Sequence, residues 1–129
     1  AQKLYFKTRS KEVLQRSKSD CLVYHTDIAI ELPGGFVALV FPRSSICKKG
    51  WMLTNSVGVI DSGYRGEITM KFKPMYGINS NEVKAKETYR DGDRIGQLII
   101  FPYPEIKFVE TDKLDSSDRG ENGYGSSGN

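Results

Sequence analysis

Apolar residues along this chain fall in short runs, and most of the runs alternate with polar positions. KLYFK (3–7), CLVYHTDIAIEL (21–32), FVALVF (36–41), VGVID (57–61), GEITMKFK (66–73) and RIGQLIIF (94–101) are rich in β-branched and aromatic residues. Clusters of Gly, Pro, Asn and Asp punctuate them, which predicts six strands separated by turns. ELPGGF reads as a turn in which Pro33 fixes φ and two glycines accept positive φ, and RDGDR reads as another. No stretch holds the i, i+3, i+4, i+7 stripe of an amphipathic helix, and the one short helix expected lies near SSICKKG (44–50). Many short strands at close spacing predict an all-β sandwich or jelly roll. GINSNEVKAKETYR (77–90) is polar and without a strong period, so a surface loop is expected there.

At 129 residues the chain has enough length for one core, not two. Its net charge of +3 is scattered, with no basic stripe interleaved with aromatics, so nucleic acid is not the expected partner. No apolar run has the length of a membrane span and no signal peptide is visible, so the expectation is a cytoplasmic protein without a membrane partner. Cys21 and Cys47 sit in apolar surroundings, without metal-site spacing. They read as reduced thiols packed like small hydrophobes, with a disulfide as the alternative. His25, the only histidine, reads as a strand residue with a satisfied hydrogen bond, since no second ligand accompanies it.

Four stretches combine small residues with groups that do chemistry. PRSS (42–45) follows a strand and opens the short helix, so Arg43 can fork onto phosphate oxygens beside backbone donors; the alternative is a Ser44 or Ser45 N-cap with a surface Arg. In NSVGVIDSGYRGEI (55–68) an apolar strand delivers Asp61 and Tyr64 at its end. Asp61 suits a general base for water, or simply initiates the Ser-Gly turn. DGDRIGQL (91–98) is a turn followed by Gln97 on a strand, and DSSDRGENGYGSSGN (115–129) sets Arg119 and Tyr124 in a glycine frame. By composition that tail is a disordered linker, yet glycines also let backbone N–H groups approach phosphate closely.

In this order and spacing the stretches resemble the trimeric dUTP diphosphatases (dUTPases). PRSS (42–45) is similar to the second of that family's five motifs, GVIDSGYRGEI (58–68) to the third, GDRIGQL (92–98) to the fourth and RGENGYGSSG (119–128) to the fifth. HTDIAIELPGGFVALVFPRSS is similar to the run into the second motif, and the resemblance covers about residues 11–128. It implies a β jelly-roll domain (1–114) with a glycine-rich C-terminal arm (115–129), assembled as a homotrimer whose arms close neighbouring sites. The reaction implied is hydrolysis of dUTP to dUMP and pyrophosphate. In it Asp61 activates the water that attacks the α-phosphorus, and Tyr64 packs under the deoxyribose. Asn55, with backbone near Gly58 and Ile60, reads the uracil edge. Arg43, Ser44, Ser45 and Gln97 hold phosphates, Arg119, Gly125, Ser126 and Ser127 clamp the γ-phosphate, and Tyr124 stacks on uracil. Mg²⁺ is implied as cofactor, held by triphosphate oxygens and water with no protein ligand cluster. A straight strand would separate Asn55 from Asp61 by about 20 Å, too far for a base and its α-phosphorus, so a bend is expected, at Gly58.

The family's first motif, Ala-Gly-x-Asp-Leu, is missing. KLYFKTRS (3–10) is similar to the family's first strand and KEV (11–13) to the segment just past the motif, so a break in the chain between Ser10 and Lys11 is expected. If no break is there, the carboxylate that supports the metal waters is absent, which favours a non-catalytic, nucleotide-sensing trimer with a regulatory protein partner. A dCTP deaminase is a further alternative on the same fold, but it needs a Glu where this chain has Lys71. The polar 77–90 stretch offers a surface for a regulatory protein.

Overall fold

Among the described residues the chain forms eight strands and one 3₁₀ helix. These are β1 (Lys3–Lys7), β2 (Ser10–Arg16), β3 (Ser19–His25), β4 (Phe36–Pro42), the 3₁₀ helix (Ser44–Lys48), β5 (Trp51–Leu53), β6 (Gly58–Ile60), β7 (Thr69–Pro74) and β8 (Arg94–Pro102). The structure, a computed structural model, describes residues 3–8, 10–16, 19–75, 88–125 and 128. Every pairing is antiparallel, giving two four-stranded sheets of order β1-β8-β4-β6 and β2-β3-β7-β5. The chain is therefore all-β, with antiparallel sheets, as its alternation predicts.

Successive strand residues point to opposite faces, and that alternation builds the core. Phe6, Ala38, Val40, Ile60, Ile95 and Leu98 from the first sheet join Leu22, Tyr24, Leu53, Met70 and Phe72 from the second in one buried cluster. Each large apolar side chain so buried contributes roughly 1.5–3 kcal/mol. Gly96 matters here for its missing side chain: a Cβ would run into the Met70 thioether, with the Met70 methyl at 2.6 Å and the Phe41 carbonyl oxygen at 3.1 Å. Among the described residues no helix is long and apolar enough to cross a membrane.

Several expectations need correction. The predicted strand 21–32 stops at His25, and it starts two residues earlier, at Ser19. It stops because Asp27 takes φ 55° and the Glu67 carboxylate captures the N–H groups of Thr26 and Asp27, at 3.1 and 3.0 Å. Strands β2 and β5 carry too little apolar character, or too few residues, to stand out in the sequence. Ser10 and Lys11, the flanks of the expected break, both lie in β2, opposite His25 and Tyr24. β1 and β2 belong to different sheets. Thr8 ties that crossing, donating its N–H to the Asp93 carbonyl (3.0 Å) and accepting from Gly92 N–H (2.8 Å).

Of the expected surface loop 77–90, residues 77–87 lie outside the described residues, but Tyr89 is buried. Its ring meets Tyr24 and Phe72 at 5.6 and 5.8 Å, and its N–H donates to the Tyr24 hydroxyl at 2.9 Å. Polar neighbours hid this one aromatic anchor. Both cysteines are free thiols, but Cys47 is exposed on the 3₁₀ helix instead of packed.

Candidate active site

Around the GVIDSGYRGEI stretch the chain crosses between the sheets from β5 to β6 and back from β6 to β7. The first crossing turns at Ser56, not at Gly58. Ser56 has φ 62°, its N–H donates to the Leu53 carbonyl at 3.2 Å, and Val57 N–H donates to the Asn55 carbonyl at 2.6 Å, closing a γ-turn. The reversal falls there because β5 and β6 belong to different sheets, so the bend must precede β6. Gly58 lies inside β6 opposite Val40, where a Cβ would come 3.1 Å from Val40 Cβ and 3.7 Å from the Asn55 amide nitrogen. Its role is to leave room.

A cleft of about 180 Å³ opens beside this crossing, and Asn55, Gly58, Ile60, Tyr64, Glu67 and Met70 all line it. Tyr64 is 46% exposed, and its hydroxyl donates to the Glu67 carbonyl at 2.9 Å. The ring lies over Gly66, where a Cβ would sit 2.5 Å from the hydroxyl oxygen. Arg65 stiffens the same turn, donating to the Ser62 carbonyl at 2.6 Å and lying 3.4 Å from the Glu31 carboxylate. Asp61 follows Ile60 directly, and its carbonyl accepts the Tyr64 N–H at 3.1 Å. Its carboxylate is exposed and hydrogen-bonds to no described residue, which leaves it able to take a proton from a bound water.

Glu67 was not foreseen as a site residue. One carboxylate oxygen accepts the Thr26 and Asp27 N–H groups while the other lies 3.0 Å from His25 Nδ1. The His25 hydrogen bond, then the Asp27 N–H, holds its carboxyl below the usual carboxylate range. The expected hydrogen bond of His25 is thereby identified. The signal in the sequence was a lone carboxylate ending YRGE, too common a feature to single out.

Arg43, Ser44 and Gln97 do not line this cleft. They line an open groove with Phe41, Ile46 and Ser56. Arg43 is the residue before the 3₁₀ helix, with φ −82° and ψ 155°, and no side chain caps the helix, so the Ser44 or Ser45 N-cap is not formed. Its Nη1 donates to the Arg94 carbonyl at 3.2 Å, and Gln97 Nε2 donates to the Pro42 carbonyl at 3.0 Å. Ser45 lies within the 3₁₀ helix and lines neither opening. Val40 borders the cleft and Phe41, its neighbour in β4, borders the groove. Strand alternation therefore turns the side chains of Phe41 and its cross-strand partner Gln97 away from the face that carries Val40.

Beyond Pro102 no described residue lies in a strand, and the described residues from 103 on are exposed. Arg119 Nε donates to the Asn122 carbonyl at 2.7 Å, and Tyr124 and Gly125 take φ 46° and 88°. Arg119, Tyr124 and Gly125 line neither opening, and Ser126 and Ser127 lie outside the described residues.

The dUTPase family model matches residues 7–128. This chain belongs to the dUTPase family. It is 43% identical over 104 residues to a deoxyuridine 5'-triphosphate nucleotidohydrolase of Bifidobacterium longum (strain DJO10A), covering 80% of this chain and 62% of that protein. It is 41% identical over 108 residues to the protein of that name from Escherichia phage T5, covering 83% and 68%. The chain thus spans less than two thirds of the length of the Bifidobacterium relative. Among solved structures, the Streptococcus mutans dUTPase matches with TM-score 0.62 and 25% identity, covering 84% of this chain and 83% of that one. The Staphylococcus bacteriophage 80alpha dUTPase, solved with dUPNHPP, matches with TM-score 0.62 and 24% identity, covering 98% and 81%; at that identity the likeness speaks for the fold alone.

Proposed function

We propose that this dUTPase-family chain hydrolyses dUTP to dUMP and pyrophosphate as a jelly-roll homotrimer. The observation that carries the reading is the cleft where Asn55, Gly58, Ile60 and Tyr64 meet; Asp61 does not line it but follows Ile60 in the chain, with an exposed carboxylate that hydrogen-bonds to no described residue. Asn55 offers an amide to a pyrimidine edge and Tyr64 a ring face to the sugar, while Gly58 leaves the base room to enter. Asp61 takes the proton from the attacking water as the water oxygen bonds to the α-phosphorus and pyrophosphate departs. Arg43, Ser44 and Gln97 supply charge and donors to the phosphates, and the tail with Arg119 and Tyr124 closes over them.

Two features favour assembly. The phosphate set and the base set line separate openings, so one chain does not gather them into one site. The outer face of the first sheet is also apolar, with Val59 opposite Leu39 and Leu39 opposite Ile99, and the exposed run beyond β8 carries Ile106, Phe108, Val109 and Leu114. Neighbouring copies would cover both.

Among the described residues no three His, Cys, Asp or Glu side chains gather to hold a metal. The donors at the groove are cationic or neutral, which suits phosphate oxygens and not a bare cation. Mg²⁺ would come with the triphosphate and neutralise part of its charge.

A second reading, nucleotide binding without turnover and with a regulatory protein as partner, is favoured by one observation: the sequence passes from KLYFKTRS (3–10) to KEV (11–13) with no stretch like the first motif between them. Pyrophosphate release from dUTP with Mg²⁺ separates the two, since the binding-only protein releases none. Mixing inactive Asp61→Asn and Arg43→Ala copies tests the shared site. Partial recovery of activity is expected, and no recovery after subunit exchange would argue for sites within single chains.

A further inference from the structure

Beside Arg43 and Gln97 the first sheet carries Tyr5 and Arg94, which the proposed reaction leaves unused. Tyr5 in β1 lies opposite Gln97 in β8, and Gln97 lies opposite Phe41 in β4, so one row of residues crosses three strands towards Arg43. The guanidinium carbons of Arg43 and Arg94 lie 5.9 and 5.6 Å from the Tyr5 ring centroid. Arg43 is also tied to Arg94 through the latter's carbonyl, at 3.2 Å. Neither arginine forms an ion pair with a described residue.

Two like charges gathered at one ring repel each other, and the ring's negative face offsets part of that repulsion. A multiply charged anion beside them would offset the rest, and Gln97 adds a neutral donor in the same row. We propose that Tyr5 is a positioning residue that holds Arg43 and Arg94 as a pair for the polyphosphate end of a nucleotide, with Arg94 acting as a second cation. The proposal rests on the nucleotide reading of Arg43 and Gln97. Tyr5 acts through the face of its ring and touches no reacting atom, so phenylalanine serves the purpose and an aliphatic side chain does not. At 49% exposure it can be replaced without opening the core.

The test is calorimetric binding of sodium tripolyphosphate to the full chain and to Tyr5→Leu, Tyr5→Phe and Arg94→Gln, alongside steady-state kinetics with dUTP. Tyr5→Leu and Arg94→Gln should each weaken tripolyphosphate binding roughly three- to tenfold, the range for losing cation–π or charge contacts at an exposed site. KM for dUTP should rise by a similar factor with little change in kcat, and Tyr5→Phe should restore binding. Unchanged binding by Tyr5→Leu or by Arg94→Gln, or Tyr5→Phe as weak as Tyr5→Leu, overturns the proposal. So does an unsubstituted chain that binds no tripolyphosphate. Tyr5-dependent binding in a chain that does not turn over dUTP would overturn hydrolysis and leave the positioning role standing.

Discussion

Gly66→Ala adds one carbon to an exposed turn, and it should act on Tyr64 alone. The new Cβ would lie 2.5 Å from the Tyr64 hydroxyl oxygen, 2.7 Å from Cζ and 3.1 Å from Cε2. Non-bonded carbons settle at about 3.5–4.0 Å, so the ring must shift by about 1 Å or swing away. The backbone itself raises no objection, since Gly66 is not among the residues of positive φ. Displacement breaks the hydrogen bond to the Glu67 carbonyl, worth about 0.5–1.5 kcal/mol net and near the lower figure at so exposed a site. Against this stands a gain of about 0.4–1 kcal/mol from the stiffer unfolded chain. Stability should barely change. Affinity should suffer if the ring supports the sugar as proposed, because it has left that position; about 1–1.5 kcal/mol of lost preorganisation is about a five- to twelvefold rise in KM for dUTP. Thermal denaturation and initial-rate kinetics measure the two quantities. The decisive comparison is a double-mutant cycle, in which Gly66→Ala should add nothing to Tyr64→Ala. If it raises KM as much in the Tyr64→Ala background as in the unsubstituted chain, the effect does not pass through Tyr64 and the reasoning fails.

Asp61→Asn should leave a folded protein that binds dUTP but hydrolyses it at least ~10² more slowly, the range for losing a general base; near-normal turnover would remove Asp61 from the mechanism. Deleting residues 119–129 should spare folding, since the described residues there pack against no core, yet abolish most activity. Normal turnover by the shortened chain would rule out a role for Arg119 and Tyr124. Glu67 should confer acid sensitivity: with its folded pKa held down, its contribution is full above the usual carboxylate pKa of about 4.3 and is lost as pH falls through the lower folded value. Melting temperature against pH should therefore fall more steeply below about pH 4 in the unsubstituted chain than in Glu67→Gln, and parallel curves would show that the clamp contributes nothing.

The strands that could be seen in the sequence were those with a strong alternating pattern on a buried face. FVALVF alternates because Ala38 and Val40 enter the core, and β4 appears within one residue of its expected bounds. SKEVLQR lacks that contrast, and WML is too short to show a period, so β2 and β5 passed unnoticed. Past His25 the apolar alternation continues through Ile28 and Ile30, but a carboxylate about 40 residues away ends the strand by taking its N–H groups. A contact between segments so distant leaves no local trace. The bend was placed at Gly58 by propensity, whereas the sheet change puts it at Ser56, a residue type that gives no warning of positive φ.

For the site, residue types were easier to recognise than their grouping. One motif delivers Asn55, Gly58, Ile60 and Tyr64 to one cleft because a strand and two turns suffice to bring them there. The residues proposed to hold phosphate come from β8 and from the segment just past β4, and whether the Gln97 side chain shares that cleft depends on parity along its strand, which one residue inverts. Val40 packs inward, so Phe41 and Gln97, its cross-strand partner, must face outward. Moving Gln97 into the cleft would carry Leu98 out of the core, at roughly 1.5–3 kcal/mol for that side chain alone. The core thus keeps Gln97 off the face that carries Val40, and in the proposed trimer the groove with Arg43, Ser44 and Gln97 of one copy would meet the cleft of another.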